Sequence, residues 1–276
     1  MMTGLNNTFL YTAKKLVVRF SNGLENHDVT GTCFFINKNN DLYLITNRHM
    51  VDYEYSTGVN GFNIALAIVE SFSEVDDQKR PFHSKKIVIM NHENFVFPNE
   101  LTEDVAILKS PTSINSIPII CPIPFELVAD DLWINEKLSV CDSIAYPGFP
   151  EFHDVHNNAP IFRMGTISSD PRAMYSGEIG VPQSRKIAFE GFSSSGSSGS
   201  PVYACQKGFP IGSGLEAPPN FYREVKLIGI NSGHFNTLVN VEDNNYEKIN
   251  AFSVGHSGIS YFFKSTIIIE LINKCN

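Results

Sequence analysis

Apolar residues in this chain fall in short alternating runs or short unbroken blocks, and almost nowhere at the three-to-four spacing of an amphipathic helix. Lys14-Lys-Leu-Val-Val-Arg-Phe20 alternates and stops at Ser21-Asn-Gly23, which predicts a strand and a turn. Thr30–Ile36, the polar turn Asn37–Asp41 and Leu42–Thr46 predict a hairpin. Its second strand runs directly into Asn47-Arg48-His49-Met50-Val51, so His49 is expected at the end of a buried strand, held by a rigid frame. Further strands are expected at Gly61–Val69, Lys86–Met90 and Val105–Lys109, with the polar stretch Ser71–Arg80 as a loop. Glu103-Asp104 places acids at the mouth of the last of these.

From Ser110 to about Glu136 prolines recur at Pro111, Pro118, Pro122 and Pro124, which disfavours regular pairing and predicts the connection between two β-rich halves, residues 1–125 and 126–276. The second half is expected to hold strands at Lys137–Val140, Ser143–Tyr146 (capped by a Pro147-Gly148 turn), Phe162–Ile167, Lys186–Phe189, Pro201–Ala204, Lys226–Ile230 and Ile259–Phe263, then a short helix over Thr266–Ile272. No internal repeat is evident.

Composition agrees with a mostly β fold: Phe (21) and Tyr (10) are plentiful, and Gly (19) and Pro (15) punctuate the apolar runs. With 42% hydrophobic and 18% charged residues the chain is a folded one, and 276 residues suffice for one large domain or two small ones. The net charge of −8, with no dense run of Lys or Arg, argues against a nucleic-acid partner. Residues 1–10 lack a basic region followed by an apolar core, and no segment approaches the ~18 apolar residues of a membrane span. Five widely spaced cysteines without a Cys-x-x-Cys pair indicate free thiols, not a disulfide framework or a zinc site. A cytoplasmic location with no membrane partner is the expectation. His153 and His156 stand at short spacing, but no further ligands accompany them, and a solvated loop is the expectation there.

The stretch Phe192-Ser-Ser-Ser-Gly-Ser-Ser-Gly-Ser-Pro201 has the composition of a flexible linker, yet it lies between two predicted strands and is better explained as a tight loop. Only Ser198 has Gly196 two places before it, Gly199 directly after it and Pro201 three places after it. A serine hydroxyl becomes a useful nucleophile when a base takes its proton and two backbone N–H groups receive the oxyanion it creates. Glycines let a backbone turn such groups into a site. Gly196 and Ser198 are the candidate donors.

Thr30-Gly-Thr-Cys-Phe-Phe-Ile before Leu-Ile-Thr-Asn-Arg-His49, then Asp104-Val-Ala-Ile-Leu, then Gly196-x-Ser198-Gly-x-Pro occur in the order His, Asp, Ser. Together they resemble the trypsin/chymotrypsin-like serine proteases, and more closely their bacterial Deg-type and glutamyl-endopeptidase branch, from about Leu16 to Ile272. The resemblance implies two antiparallel six-stranded barrels, the first (1–125) carrying His49 and Asp104, the second (126–276) carrying Ser198 and a C-terminal helix. His49 would be general base and then acid, Asp104 rather than Glu103 would fix its tautomer, and Ser198 would form an acyl-enzyme, with Gly196 and Ser198 as the oxyanion hole. Ser232, in Ile-Asn-Ser-Gly, falls at the family's serine on the substrate-lining strand. Phe192 falls at the base of the pocket for the residue preceding the cut, with Ser193, Asn231, Ser232 and Gly233 as its walls and His234 nearby.

By the same resemblance no metal or organic cofactor is needed, and the partner is a protein or peptide substrate. A regulatory protein that orders the loops is a further possibility, and the rival is a catalytically silent protease-like binding module. Without an acid at position 192, cleavage after Lys or Arg is not expected. A small, apolar or uncharged polar residue is, with Glu accepted if His234 turns inward. Three departures stand out. Ser197 replaces the aspartate that pairs with a new N-terminus in the digestive enzymes. Met50 follows the histidine and Arg48, a bulky cation, precedes it; Arg48 is expected to crowd the site or depress the His49 pKa. Cys33 would lie on a strand facing the cleft, as packing rather than chemistry.

Overall fold

The computed structural model describes residues 5–76, 81–89, 95–109, 119–209, 222–242 and 248–275. The alternation read at the start of the chain becomes β1 (Ala13–Ser21), with Leu16, Val18 and Phe20 turned inward and buried. It pairs antiparallel with β2 (Asn26–Lys38) on one side and β4 (Asn63–Val75) on the other. β2 returns as β3 (Asp41–Thr46) through Asn39 and Asn40, both at positive φ, the backbone a two-residue hairpin turn demands. β4 pairs with β5 (Pro81–Ile89) and β3 with β6 (Ala106–Lys109), and β7 (Ile123–Pro124) lies parallel to β2.

The resulting order is β5-β4-β1-β2-β3-β6. Six strands stand in the sequence of a barrel, but among the described residues no β5–β6 pairing closes it, where a closed barrel was expected. The free edge of β6 is taken instead by Val96, which exchanges hydrogen bonds of 2.8 and 3.0 Å with Ile107. The second half does close. Its strands are β8 (Ser143–Gly148), β9 (Ile161–Ile167), β10 (Lys186–Glu190), β11 (Pro201–Ala204), β12 (Lys226–Glu242) and β13 (Lys248–Lys264), in the cyclic order β10-β13-β12-β11-β8-β9.

Several elements depart from the sequence pattern. Ser71–Val75 is not loop but the outer end of β4, paired with β5, where an edge hairpin tolerates polar side chains. Of the strand expected at Lys86–Met90, Met90 lies outside the described residues, as do Arg80, Pro111 and Pro118. The proline-rich connection contains a helix, α2 (Asp131–Lys137), capped by Asp130, whose carboxylate accepts the Trp133 N–H at 2.8 Å. Lys137 therefore ends a helix instead of opening a strand, and Pro147-Gly148 finishes β8 instead of turning. β12 and β13 run far past the apolar segments that signalled them, as one long hairpin.

A short helix, α1 (Tyr53–Thr57), follows the His49 turn, and α3 (Ser265–Lys274) ends the chain's regular structure. Ile267, Ile268, Leu271 and Ile272 of α3 are buried in a cluster with Phe34 and Val105 from the first half and Tyr203 and Ile230 from the barrel. Each such side chain contributes on the order of 1.5–3 kcal/mol by leaving water, so α3 acts as a wedge joining the halves. Among the described residues no helix is long and apolar enough to cross a membrane.

Candidate active site

β3 delivers His49 in a single 3-10 turn, Arg48–Met50, and Asp104 lies two residues before β6, the strand paired with β3. The two are locked at both ends. The His49 N–H donates to Asp104 Oδ1 at 2.8 Å, and His49 Nδ1 lies 2.6 Å from Asp104 Oδ2. Asn47, fully buried, donates from Nδ2 to the Asp104 carbonyl at 2.7 Å, which fixes the backbone carrying the carboxylate. A third donor, the Ser232 hydroxyl, reaches Asp104 Oδ2 at 2.6 Å. Hydrogen bonds to a charged group are worth about 1.5–3 kcal/mol each, which offsets the cost of holding a carboxylate that is only 7% exposed.

These contacts set the protonation states. Burial pushes the Asp104 carboxyl up, but the His49 charge, its hydrogen bonds and that of Ser232 more than compensate, so its pKa lies below the ordinary value. Burial pulls the His49 imidazole down, and Asp104 raises it by charge and hydrogen bond, with a net displacement upward. With Nδ1–H committed to Asp104, Nε2 is left as the acceptor. The like-charge depression expected from Arg48 does not occur. Its guanidinium binds Asp52 at 2.9 Å and lies 4.6 Å from the ring centres of Tyr55 and Phe97.

Ser198 sits on a loop clamped from two sides. The Thr32 N–H donates to the Ser198 carbonyl at 2.8 Å, and the Thr32 hydroxyl donates to the Gly196 carbonyl at 2.8 Å while accepting the Phe149 N–H at 3.0 Å. From the barrel side, buried Asn231 donates through Nδ2 to the Ser197 carbonyl at 2.9 Å and to Ser193 Oγ at 2.8 Å. Gly196 and Gly199 have φ of 87° and 86°, and a Cβ at Gly199 would lie 1.8 Å from the Thr32 carbonyl oxygen. Neither the Gly196 nor the Ser198 amide has a hydrogen-bond partner among the described residues, so both are open to an incoming acceptor. The Ser198 hydroxyl donates to the Ser232 carbonyl at 3.0 Å, and no hydrogen bond joins it to His49.

The sequence thus brings His49, Asp104, Ser198 and Ser232 to one place, while the pocket differs from the expectation. Phe192 is no buried floor: its side chain is 64% exposed, and its carbonyl is held by Tyr146 and Arg163. Its ring lies 4.9 Å from that of His256, which in turn stacks on His234 at 4.2 Å with 19° between planes. Ser260 Oγ accepts the Ser193 N–H at 3.1 Å and lies 3.4 Å from His256 Nε2. Asn231 is a brace inside the loop, not an open wall. Gly233 must stay small, since a Cβ there would meet the Tyr261 hydroxyl at 2.8 Å. His256 carried no signal in the sequence, because only the β12–β13 register, His234 opposite Ser260 and Asn236 opposite His256, brings it to His234. Thr32 was visible only as part of a strand.

Cys33 is fully buried in the first-half core, where burial pushes its thiol up to about 12. His153 Nδ1 lies 2.7 Å from the Pro150 carbonyl, with its ring against Phe149.

The order of the elements, the closed barrel and this cluster define a peptidase-like architecture, and comparison with known proteins gives the family. The family model for the trypsin-like peptidase domain matches residues 31–212, more than half of the chain, which belongs to that family. No curated protein sequence matches significantly. Among solved structures, 196 chains match. One of them, described as HtrA-type protease AlgW with decapeptide, aligns at 15% identity and TM-score 0.49 over 96% of this chain and 64% of its own length. The chain therefore spans less than two thirds of that protein.

Proposed function

We propose that this chain is a serine endopeptidase in which His49, Asp104 and Ser198 form the reacting triad. The observation that carries this is the Asp104 carboxylate, which receives the His49 amide, the His49 ring and Ser232, whose carbonyl holds the Ser198 hydroxyl beside two open amides. In the reaction the Ser198 hydroxyl turns from Ser232 toward His49 Nε2 and gives up its proton as Oγ bonds to the scissile carbonyl carbon. The oxyanion falls to the Gly196 and Ser198 N–H groups, each such donor being worth about 2.7–4 kcal/mol of barrier. The imidazolium, held by Asp104, protonates the leaving amine as the C–N bond breaks, and water then repeats the sequence to free the acid. His49 must be neutral to act as base, so activity rises with pH through a pKa displaced upward from that of an ordinary imidazole.

The hydroxyl's bond to Ser232 supports a second reading of the same chemistry, that of a processing enzyme at rest whose loops a protein partner or substrate brings to the reacting geometry. Catalytic hydrogen bonds that tighten only in the complex are common, so the two readings share one active site.

The residues around the specificity pocket, Phe192, Ser193, His234, His256 and Arg163, include no carboxylate, and a buried Lys or Arg of the substrate would lack a counter-charge. Cleavage-site profiling on a denatured proteome is expected to give cuts after small, apolar or uncharged polar residues, with Glu admitted if His234 turns inward. A majority of cuts after Lys or Arg would contradict this account of the pocket.

A further inference from the structure

Glu103 is only 2% exposed, yet it takes no part in the triad, and the chemistry proposed above gives it no role. Its carboxylate is gripped in a fork by Arg185, with Nε on Oε1 at 2.7 Å and Nη2 on Oε2 at 2.6 Å. Arg185 Nη2 also reaches Glu270 of α3 at 2.8 Å, and Glu270 pairs with Lys274 one turn on at 2.6 Å. The Arg185 carbonyl accepts the Lys264 N–H at 2.9 Å, fixing the guanidinium's backbone to β13.

The position of this pair matters more than its energy. Glu103 is one peptide bond from Asp104, and Arg185 directly precedes β10, the strand that feeds the Ser198 loop. The fork therefore bridges the half that presents His49 and Asp104 to the half that presents Ser198, next to Asp104 on one side and at the start of β10 on the other. Stability alone does not call for it, since a buried ion pair is often matched or bettered by apolar residues of similar size. What the fork provides is direction, because a guanidinium meets a carboxylate in one plane and at two points, which an ammonium cannot do.

We propose that Glu103 and Arg185 are a positioning pair, which holds the Asp104 carboxylate on His49 and in register with the Ser198 loop. The inference rests on the peptidase reading for its kinetic consequence but not for its structural one. The other groups that sense the Asp104 charge are Lys186, Tyr55 and Tyr261. None of them is altered in the variants below.

The test compares the full chain with Arg185→Lys, which keeps the charge and loses the fork, and with Glu103→Gln. Three quantities are read: the NMR titration of the His49 ring, kcat and KM per active site counted with a fluorophosphonate, and the thermal midpoint. The expected result for Arg185→Lys is a His49 pKa displaced down toward that of a free imidazole, and kcat lowered by about 10- to 100-fold with KM little changed, as for a loss confined to the transition state. A lower thermal midpoint with an unmoved His49 titration and unchanged kcat per site would make the pair merely structural and overturn the proposal. Should Glu103→Gln fail to fold, Arg185→Lys still decides. If the wild type hydrolyses nothing, the peptidase reading fails while the His49 titration continues to test the positioning role.

Discussion

Asp104→Asn is expected to lower kcat by roughly 10⁴-fold with the fold intact, because an amide lets His49 present the wrong nitrogen to Ser198. The carboxylate accepts three hydrogen bonds, from the His49 amide, His49 Nδ1 and Ser232 Oγ. Asparagine offers one acceptor oxygen and an NH₂ that can only donate. Placed toward the ring, that NH₂ binds an unprotonated Nδ1 and leaves Nε2–H facing the serine, so the base has no lone pair where it is needed. The raised His49 pKa should fall with the loss of the charge, moving the rise in activity to lower pH as the rate collapses. Glu103→Gln is expected to be far milder, since Glu103 faces Arg185 and not His49. A Michaelis–Menten comparison of the two variants checks this, and the reverse order of damage would reassign the acid.

Gly199→Ala is expected to destabilise the protein by more than about 4 kcal/mol and abolish activity in whatever remains folded. A left-handed backbone at a residue with Cβ costs about 1–2 kcal/mol by itself. Here the added carbon would also lie 1.8 Å from the Thr32 carbonyl and 2.9 Å from Thr46 Oγ1, backbone and buried side chain that cannot swing aside. Relief requires lifting the Ser198 loop off Thr32, which breaks the bonds to the Ser198 and Gly196 carbonyls that aim the two open amides. Gly23→Ala is the control: φ is 89°, but nothing lies within 4 Å of its Cβ, so only the backbone term remains. Thermal melts of the two variants should separate widely, and equal midpoints would contradict the clamped-loop account.

Local chemistry made much of this site legible in the sequence. Only glycine suits the positive φ and close approach at 196 and 199, so the framing of Ser198 followed from residue type. The apolar block Leu42–Thr46 ran toward His49, and β3 does end at Thr46, with His49 in the 3-10 turn that follows. What escaped depends on pairing between distant segments. His256 joins His234 only through the register of β12 against β13, which shifts at bulges between Asn231 and Gly233 and between His234 and Asn236. The brace made by Asn231 and the clamp made by Thr32 are hydrogen bonds across the chain, which residue type does not announce. The effect expected of Arg48 failed for a similar reason, since its neighbours Asp52, Tyr55 and Phe97 draw the guanidinium away from His49. Closure of the first barrel was expected from the family resemblance, but among the described residues the edge of β6 is satisfied locally by Val96.

The most direct measurement is mass spectrometry of the full chain after reaction with a fluorophosphonate, alone and with a denatured protein present as substrate. The account predicts a single adduct on Ser198 in the wild type, absent in His49→Ala, with labelling and digestion lost together. Digestion of the substrate by a chain that carries no adduct on Ser198 would contradict it, and the absence of both would leave the protease-like binding module as the function of this fold.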